Sequence, residues 1–265
     1  MKFSIVTPNY NGARFLEATL ASIAAQRAPG VEVEHWIADG GSTDGSLDII
    51  QRFLGPQTFL IAERDTGPAD AINKGLQRAT GECVAWLNAD DLYEPGTLAR
   101  AAAVFAAQPR AALAFGRCRI VDEGGAEIRD RITRFKEFFF PLSSRFTIQC
   151  LNYISQPAMF FRRSALERAG LLRTDLVAAW DYEFTLRLWR QGGAARIPGA
   201  PLAAFRWHPG SISGRVFAQQ FREEWHAAVA DAGRCSPQAL IHLGVRYGIV
   251  GIYSLMAARR NGQTP

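Results

Sequence analysis

The sequence predicts an α/β fold, an open and mostly parallel sheet flanked by helices, with a helical extension at the C-terminus. Two observations point to it. Short apolar runs alternate with amphipathic segments through the first third of the chain, the rhythm of strand and helix units joined by right-handed crossovers. Each apolar run also ends in a cluster of Gly, Pro, Asn, Asp or Ser, so the polar loops should gather at one sheet edge, where open α/β sheets bind their ligands.

Phe3 to Thr7 reads as the first strand, stopped by Pro8-Asn-Tyr-Asn-Gly12. Phe15, Leu16, Thr19, Leu20 and Ile23 recur at helical spacing and predict a helix laid on the sheet. Val33 to Ala38 is the second strand and ends in Asp39-Gly-Gly-Ser-Thr-Asp-Gly-Ser46. Glycines there let backbone pass close to a ligand, and Ser42 or Thr43 is expected to cap the helix running through Leu54. Thr58 to Ala62 is the third strand, followed by Glu63-Arg-Asp-Thr-Gly-Pro68 and a helix over Ala69 to Ala79. The fourth strand, Cys83 to Leu87, stops at Asn88 and delivers Asp90 and Asp91 side by side. Adjacent carboxylates repel each other, and a hard cation such as Mg²⁺ or Mn²⁺ offsets that repulsion. Asp90 would equally serve as a helix cap.

Composition narrows the function. A chain of 265 residues, 48% hydrophobic and 21% charged, buries a sizeable core and has the balance of an ordinary globular enzyme. No Gly-x-Gly-x-x-Gly follows the first strand and no Gly-Lys-Ser/Thr loop occurs, which argues against Rossmann dehydrogenases and P-loop enzymes. Cys83, Cys118, Cys150 and Cys235 form no Cys-x-x-Cys pair, so neither a zinc site nor a disulfide framework is expected, and a reducing compartment is. Met1-Lys2 leads directly into a strand, too short for a signal-peptide core, and no run reaches the length of a membrane span. A cytoplasmic location follows, with the inner face of the cell membrane as a place of contact. The net charge of +5 is carried by residues 192–265, with eight Arg against three acids, which suits a phosphate-bearing or anionic-membrane partner or simply a solvated surface. Nucleic acid is not an expected partner.

Thr7-Pro-Asn-Tyr-Asn11, Asp39-Gly-Gly-Ser-Thr-Asp44, Asp65-Thr-Gly-Pro-Ala-Asp-Ala-Ile-Asn-Lys-Gly75 and Leu87-Asn-Ala-Asp-Asp91 occur in this order, each after an expected strand. Together they resemble the successive signatures of the family 2 inverting glycosyltransferases. Ser155-Gln-Pro-Ala-Met-Phe-Phe-Arg-Arg163 and Trp180-Asp-Tyr-Glu-Phe-Thr-Leu-Arg-Leu188 resemble that family's acceptor-side segments, and Phe205-Arg-Trp-His-Pro-Gly-Ser-Ile-Ser213 its closing loop. The resemblance implies a GT-A fold, a nucleotide-diphosphate sugar as donor, with UDP favoured, a saccharide or lipid-linked saccharide as acceptor, and Mn²⁺ or Mg²⁺ as cofactor. It implies that Thr7, Pro8, Tyr10, Asp39, Asp65, Lys74 and Asp90 bind the nucleotide, with Asp39 reading the base, Tyr10 lying against it, and Asp65 and Lys74 near ribose and diphosphate. Asp90 would face the ribose, Asp91 would ligate the metal and His208 would be a further ligand. Asp181 would be the general base that takes the acceptor's hydroxyl proton. Residues 1–214 would form the glycosyltransferase domain, with 1–110 binding nucleotide and 111–214 on the acceptor side; residues 215–265 would be the extension. The competing readings are a sugar-nucleotide pyrophosphorylase, which would want an Arg-containing Gly-rich loop after the first strand, and a non-catalytic nucleotide-sugar-binding module, which would have lost its carboxylates. A glycoside hydrolase would lack the nucleotide loops.

Three stretches lie outside these motifs. Phe138, Phe139 and Phe140, within Ile132 to Ile148, read as a buried plug or as a flap over the site. Phe217, Phe221, Trp225 and Val229 repeat every four residues, an apolar stripe expected to pack on the core. Residues 239–260 read as a helix that is apolar nearly all round from Tyr247 to Ala258. Its surplus surface needs a cover: an anionic membrane beside Arg246, Arg259 and Arg260, a second copy of the chain approaching at Gly244, Gly248 and Gly251, or the protein's own core. His35, His226 and His242 are expected to be ordinary structural or surface groups.

Overall fold

The computed structural model describes residues 1–211 and 216–248. Its first half alternates strand and helix as the periodicity predicts: β1 (Lys2–Asn9), α1 (Ala13–Ala24), β2 (Glu32–Asp39), α2 (Ser46–Phe53), β3 (Thr58–Ala62), α3 (Pro68–Arg78) and β4 (Cys83–Trp86). These four strands are mutually parallel, with β1 in the middle, β2 then β3 on one side and β4 on the other. The chain therefore reverses its winding between β1 and β4, the switch point at which open sheets leave a crevice for a ligand. The ends of both strands feed that crevice.

The second half completes the sheet. After β5 (Leu92–Tyr93) and α4 (Thr97–Ala107), β6 (Leu113–Phe115) is separated from β4 by the antiparallel β9 (Met159–Arg162), and β10 (Ala194–Arg196) adds to β6 in parallel. The seven strands run β10-β6-β9-β4-β1-β2-β3. A smaller sheet of β5, β11 (Ala203–Arg206), β7 (Cys118–Val121) and β8 (Glu127–Ile128) stands beside the end of β4. Side chains alternate across β1 as the pleat requires: Phe3 and Ile5 join one core with Leu98, Phe105 and Phe160, while Val6 joins the other with Ile72, Trp86 and Phe184. On that second face α3 lies so close that a Cβ on Gly75 would stand 2.4 Å from Val6 Cγ1.

The remaining helices are α5 (Asp130–Phe138), α6 (Arg145–Cys150), α7 (Arg163–Ala169), α8 (Trp180–Trp189) and α9 (Phe217–Ala232), followed by helical residues 237–248. Three expectations need correction. Neither Ser42 nor Thr43 caps α2: Gly45 occupies the cap position in the left-handed region, and Asp44 accepts from Ser46 N at 3.0 Å and from Ala13 N at 2.9 Å, tying the starts of α2 and α1 together. The triple phenylalanine is not one plug, because Phe140 is buried, Phe139 half-buried and Phe138 exposed. The stripe of Phe217, Phe221, Trp225 and Val229 is only half-buried; α9 turns Glu223, Glu224, Ala227 and Ala228 inward instead. The small alanines let α9 seat on the core, and both glutamates find hydrogen-bond donors there, while the guanidinium of Arg246 covers the Trp225 ring at 6.0 Å. Of the 239–260 segment, residues 239–248 are helical and the rest, with most of the Tyr247 to Ala258 run, lies outside the described residues.

Candidate active site

The loop after β2 is fastened by Asp39. Its carboxylate, 1% exposed, accepts from Gly41 N (3.0 Å), Ser42 N (2.8 Å), Asn9 Nδ2 (2.7 Å) and Ser42 Oγ (2.7 Å). Ser42 Oγ in turn accepts from Asn11 N at 2.8 Å, and Asn11 Oδ1 accepts from Thr43 N at 2.8 Å. The loops after β1 and β2 are thus one hydrogen-bonded unit. Pro8 is buried beside Ala38 within the paired strands, and Thr7 Oγ1 is hydrogen-bonded to buried His35 Nε2 at 2.9 Å. Burial holds that imidazole neutral, its pKa down at about 3. Tyr10, by contrast, stands 67% exposed at the mouth of the crevice.

Asp65 continues the same edge. Its carboxylate lies where a side chain on Gly40 would be, 2.3 Å from the ideal Cβ position, so only glycine fits there. It accepts from Gly67 N at 2.9 Å, and burial raises its pKa. Lys74 donates to Arg64 O at 2.5 Å and lies 3.8 Å from Asp70, so it braces this loop at the start of α3.

The paired carboxylates after β4 part company. Asp91 is fully buried, accepting from Arg206 N (2.9 Å) at Oδ1 and from Asn88 Nδ2 (3.0 Å) at Oδ2, and burial beside Asp90 pushes its pKa well up. Asp90 is half-buried and turns outward, its Oδ2 3.0 Å from His208 Nε2. The imidazole packs on the Phe15 ring with centroids 5.4 Å apart. Arg206, buried under this arrangement, donates to the carbonyls of Asp90, Asp122 and Glu123 at 2.7–3.0 Å. Among the described residues no group of three or more His, Cys, Asp or Glu stands close enough to hold a metal.

The acceptor-side segment reaches this edge through Gln156, whose Nε2 donates to Trp86 O at the end of β4 (2.7 Å). Beside it Ser155 Oγ accepts from Lys136 Nζ at 3.3 Å, and the Lys136 charge acts on both Asp181 and Glu224. Asp181, one residue into α8, accepts from its neighbour Tyr182 N (2.7 Å), and burial raises its pKa. Glu183 is turned away onto Arg187 at 2.8 Å, as helical geometry predicts. Glu224 takes Asn152 Nδ2 and Gln220 Nε2 at 3.1 Å each, and burial lifts its carboxyl to about 7. Glu223 accepts from three consecutive backbone amides, Val177 N, Ala178 N and Ala179 N, at 2.9–3.1 Å, fastening from another helix the turn that leads into α8. Sequence reading missed Lys136, Arg206, Glu223 and Glu224. Arg206 lay inside a noticed motif, but the two glutamates sat on the supposed outer face of a stripe.

Comparisons with known proteins agree with this arrangement. The model of the glycosyl transferase family 2 matches residues 4–170. A PGL/p-HBAD biosynthesis glycosyltransferase of Mycobacterium bovis BCG is 36% identical over 190 residues, which is 68% of this chain and 67% of that protein. Among solved structures, Staphylococcus aureus TarS 1-349 in complex with UDP-GlcNAc superposes with a TM-score of 0.68 at 20% identity, covering 91% of this chain and 69% of that one. The mannosyltransferase PcManGT from Pyrobaculum calidifontis, in complex with GDP-Man and Mn²⁺, gives 0.64 at 20% identity, covering 97% and 80%. At such identities the superpositions speak for the GT-A fold alone, and the sequence match speaks for the family: this chain belongs to the family 2 glycosyltransferases.

Proposed function

We propose that the enzyme moves a sugar from a nucleotide-diphosphate donor, with UDP as the nucleotide, to a hydroxyl acceptor in a single inverting displacement, in the assembly of a bacterial surface glycan or glycolipid. The observation that carries this reading is the meeting of two unlike sites. Asp90 and His208 form an outward-facing pair at the parallel-strand edge, and Asp181 lies within the field of Lys136, which donates to Ser155 next to the Gln156 that is bonded to the end of β4. The mycobacterial relative is named for PGL/p-HBAD biosynthesis, and TarS, named a poly(ribitol-phosphate) β-N-acetylglucosaminyltransferase, was solved with UDP-GlcNAc, which supports the acceptor class and the nucleotide.

Tyr10 and the loop fastened by Asp39 frame the base, with Thr7 and Pro8 setting the strand end, and Asp65 and Lys74 shaping the ribose and diphosphate side. One carboxylate and one imidazole suit a hard divalent ion that takes its other positions from phosphate oxygens and water. Bound there, Mg²⁺ or Mn²⁺ would offset the charge on the leaving diphosphate. We assign this pair as Asp90 and His208, because Asp91, the ligand named by the resemblance, has both oxygens engaged inside the protein. Asp181 takes the acceptor's proton as its oxygen bonds to the anomeric carbon and the bond to the diphosphate breaks. The donor half is 1–110 and the acceptor half 111–214, with α9 of the 215–265 extension working as part of the latter. On this reading the enzyme acts in the cytoplasm.

A thermal-shift panel of UDP, GDP and dTDP with and without Mn²⁺ tests the donor, and calorimetry on Asp90→Asn and Asp91→Asn tests the metal. Stabilisation by UDP that needs Mn²⁺ and disappears in Asp90→Asn is expected. Loss of that dependence in Asp91→Asn alone would restore Asp91 as the ligand, and no nucleotide response at all would sink the transferase reading.

A further inference from the structure

The wall of the acceptor side has an unusual outer face. α5 turns Lys136 inward to Ser155 and the Asp181 cluster, and its opposite surface carries Arg131, Arg134, Phe135 and Phe138. These sit at i, i+3, i+4 and i+7, so they share one helical face. Phe135 is 51% and Phe138 68% exposed, and Leu142 and Phe146 follow at 56% and 49%. The rings are joined rather than scattered: Phe135 and Phe138 both meet Phe139 edge to face, at 5.3 and 5.4 Å, and Phe139 stacks on Tyr153. A joined apolar patch of this kind marks an interaction surface.

Charge selects the partner. On the face that carries the exposed rings, Arg131 and Arg134 are both exposed and stand against a single acid, Asp130. Arg134 pairs with Asp130 at 3.3 Å, but both side chains are more than half exposed, so water or a stronger anion readily replaces that contact. Guanidinium groups suit phosphate headgroups, and phenyl rings suit the boundary between headgroup and acyl chain. An acidic protein would supply the charge but leave four apolar side chains needing a matched groove.

We propose that the outer face of α5, continued by Leu142 and Phe146, docks on the surface of an anionic bilayer. Docking there puts the wall that holds Lys136 against the membrane, so the hydroxyl presented to Asp181 belongs to a molecule anchored in that bilayer. This consequence for the acceptor rests on the transferase reading above; the docking itself does not.

The test is sedimentation of the full chain with vesicles of phosphatidylcholine mixed with phosphatidylglycerol, against vesicles of phosphatidylcholine alone. Wild type should pellet with the anionic vesicles, less so in high salt, and remain in solution with the neutral ones. Phe135→Ser with Phe138→Ser, and separately Arg131→Gln with Arg134→Gln, should each lower partitioning by about tenfold or more. All four positions are exposed, so an unchanged unfolding midpoint verifies that the variants are folded. Nucleotide binding measured without vesicles should be unchanged, which separates a failed docking surface from a failed donor reading. Equal pelleting of wild type and both variants overturns the proposal, as does wild type that ignores anionic vesicles. A dimer that Phe138→Ser converts to monomer, without vesicle binding, assigns the face to a second copy and also overturns it.

Discussion

The donor half and the acceptor half treat their carboxylates in opposite ways. Asp39 accepts four hydrogen bonds and Asp91 two, and both serve to hold loops in place. Across the cleft Asp181 accepts one bond from its own neighbour, and Glu224 is lifted to about 7 by burial. Burial raises the pKa of Asp91 and Asp181 alike, but Asp91 has both oxygens on internal donors, whereas Asp181 keeps capacity for a substrate proton. On the proposed roles, the donor-half carboxylates hold the recognition loops and Asp181 moves the proton.

Asp181→Asn breaks the comparison hardest. Turnover should fall by roughly 10²–10⁴-fold while donor affinity is kept, because the donor contacts lie across the cleft. Near-normal transfer to a hydroxyl acceptor would remove Asp181 from the chemistry. The next largest effect is on stability, in the donor half. Buried Glu34 would have its pKa raised by desolvation, but hydrogen bonds from Ser4, Thr80 and Lys2 outweigh this and hold it at about 2. Its folded pKa is depressed, so its contribution is present above pH 4.5 and lost as pH falls towards 2. Glu34→Gln should cost about 2–3 kcal/mol at neutral pH and flatten the acid limb of the unfolding curve between those values, as read by urea melts across pH. An acid limb identical to wild type would mean the network contributes nothing.

Glu223→Gln sharpens the comparison by touching neither substrate. It weakens the hydrogen bonds that fasten the turn of 177–179 ahead of Asp181, so kcat should drop about tenfold with donor affinity unchanged. An equal loss in donor affinity would show that the damage is general. The smallest effect belongs to Lys136→Gln. The lysine charge lowers the Asp181 pKa, so its removal should move the acidic limb of the kcat profile to higher pH. A limb displaced to lower pH would contradict that placement of the lysine.

The two halves were also unequally legible in sequence. Donor-half strands and loops could be read because parallel strands are near-continuous apolar runs and their ligand loops need Gly, Asp, Asn and Pro at fixed places. Roles within those loops were harder, since Asp39 and Asp91 look identical in sequence whether they bind a ligand or close a turn. The acceptor side depends on tertiary pairing. Nothing in the spacing of Glu223 and Glu224 says that one fastens a turn some forty residues earlier in the chain and the other lies near Asp181. The Phe217 stripe misled because amphipathicity weighs side-chain polarity alone, and buried glutamates with donors outweigh it.

The placement of β9 sets an order on folding as the chain leaves the ribosome. β1 to β4 and their helices are complete by residue 86, yet one side of β4 stays unpaired until Arg162 has been made, because β9 pairs with β4 and with β6 alike. For more than seventy residues of synthesis the nascent sheet carries Cys83 and Val84 on an open edge, with Trp86 still uncovered by α8. At elongation rates of about 5–20 residues per second this window lasts several seconds, far longer than strand pairing takes. The donor half must therefore wait in a form that invites edge-to-edge association, and a chaperone acting on this protein would find its binding surface along β4.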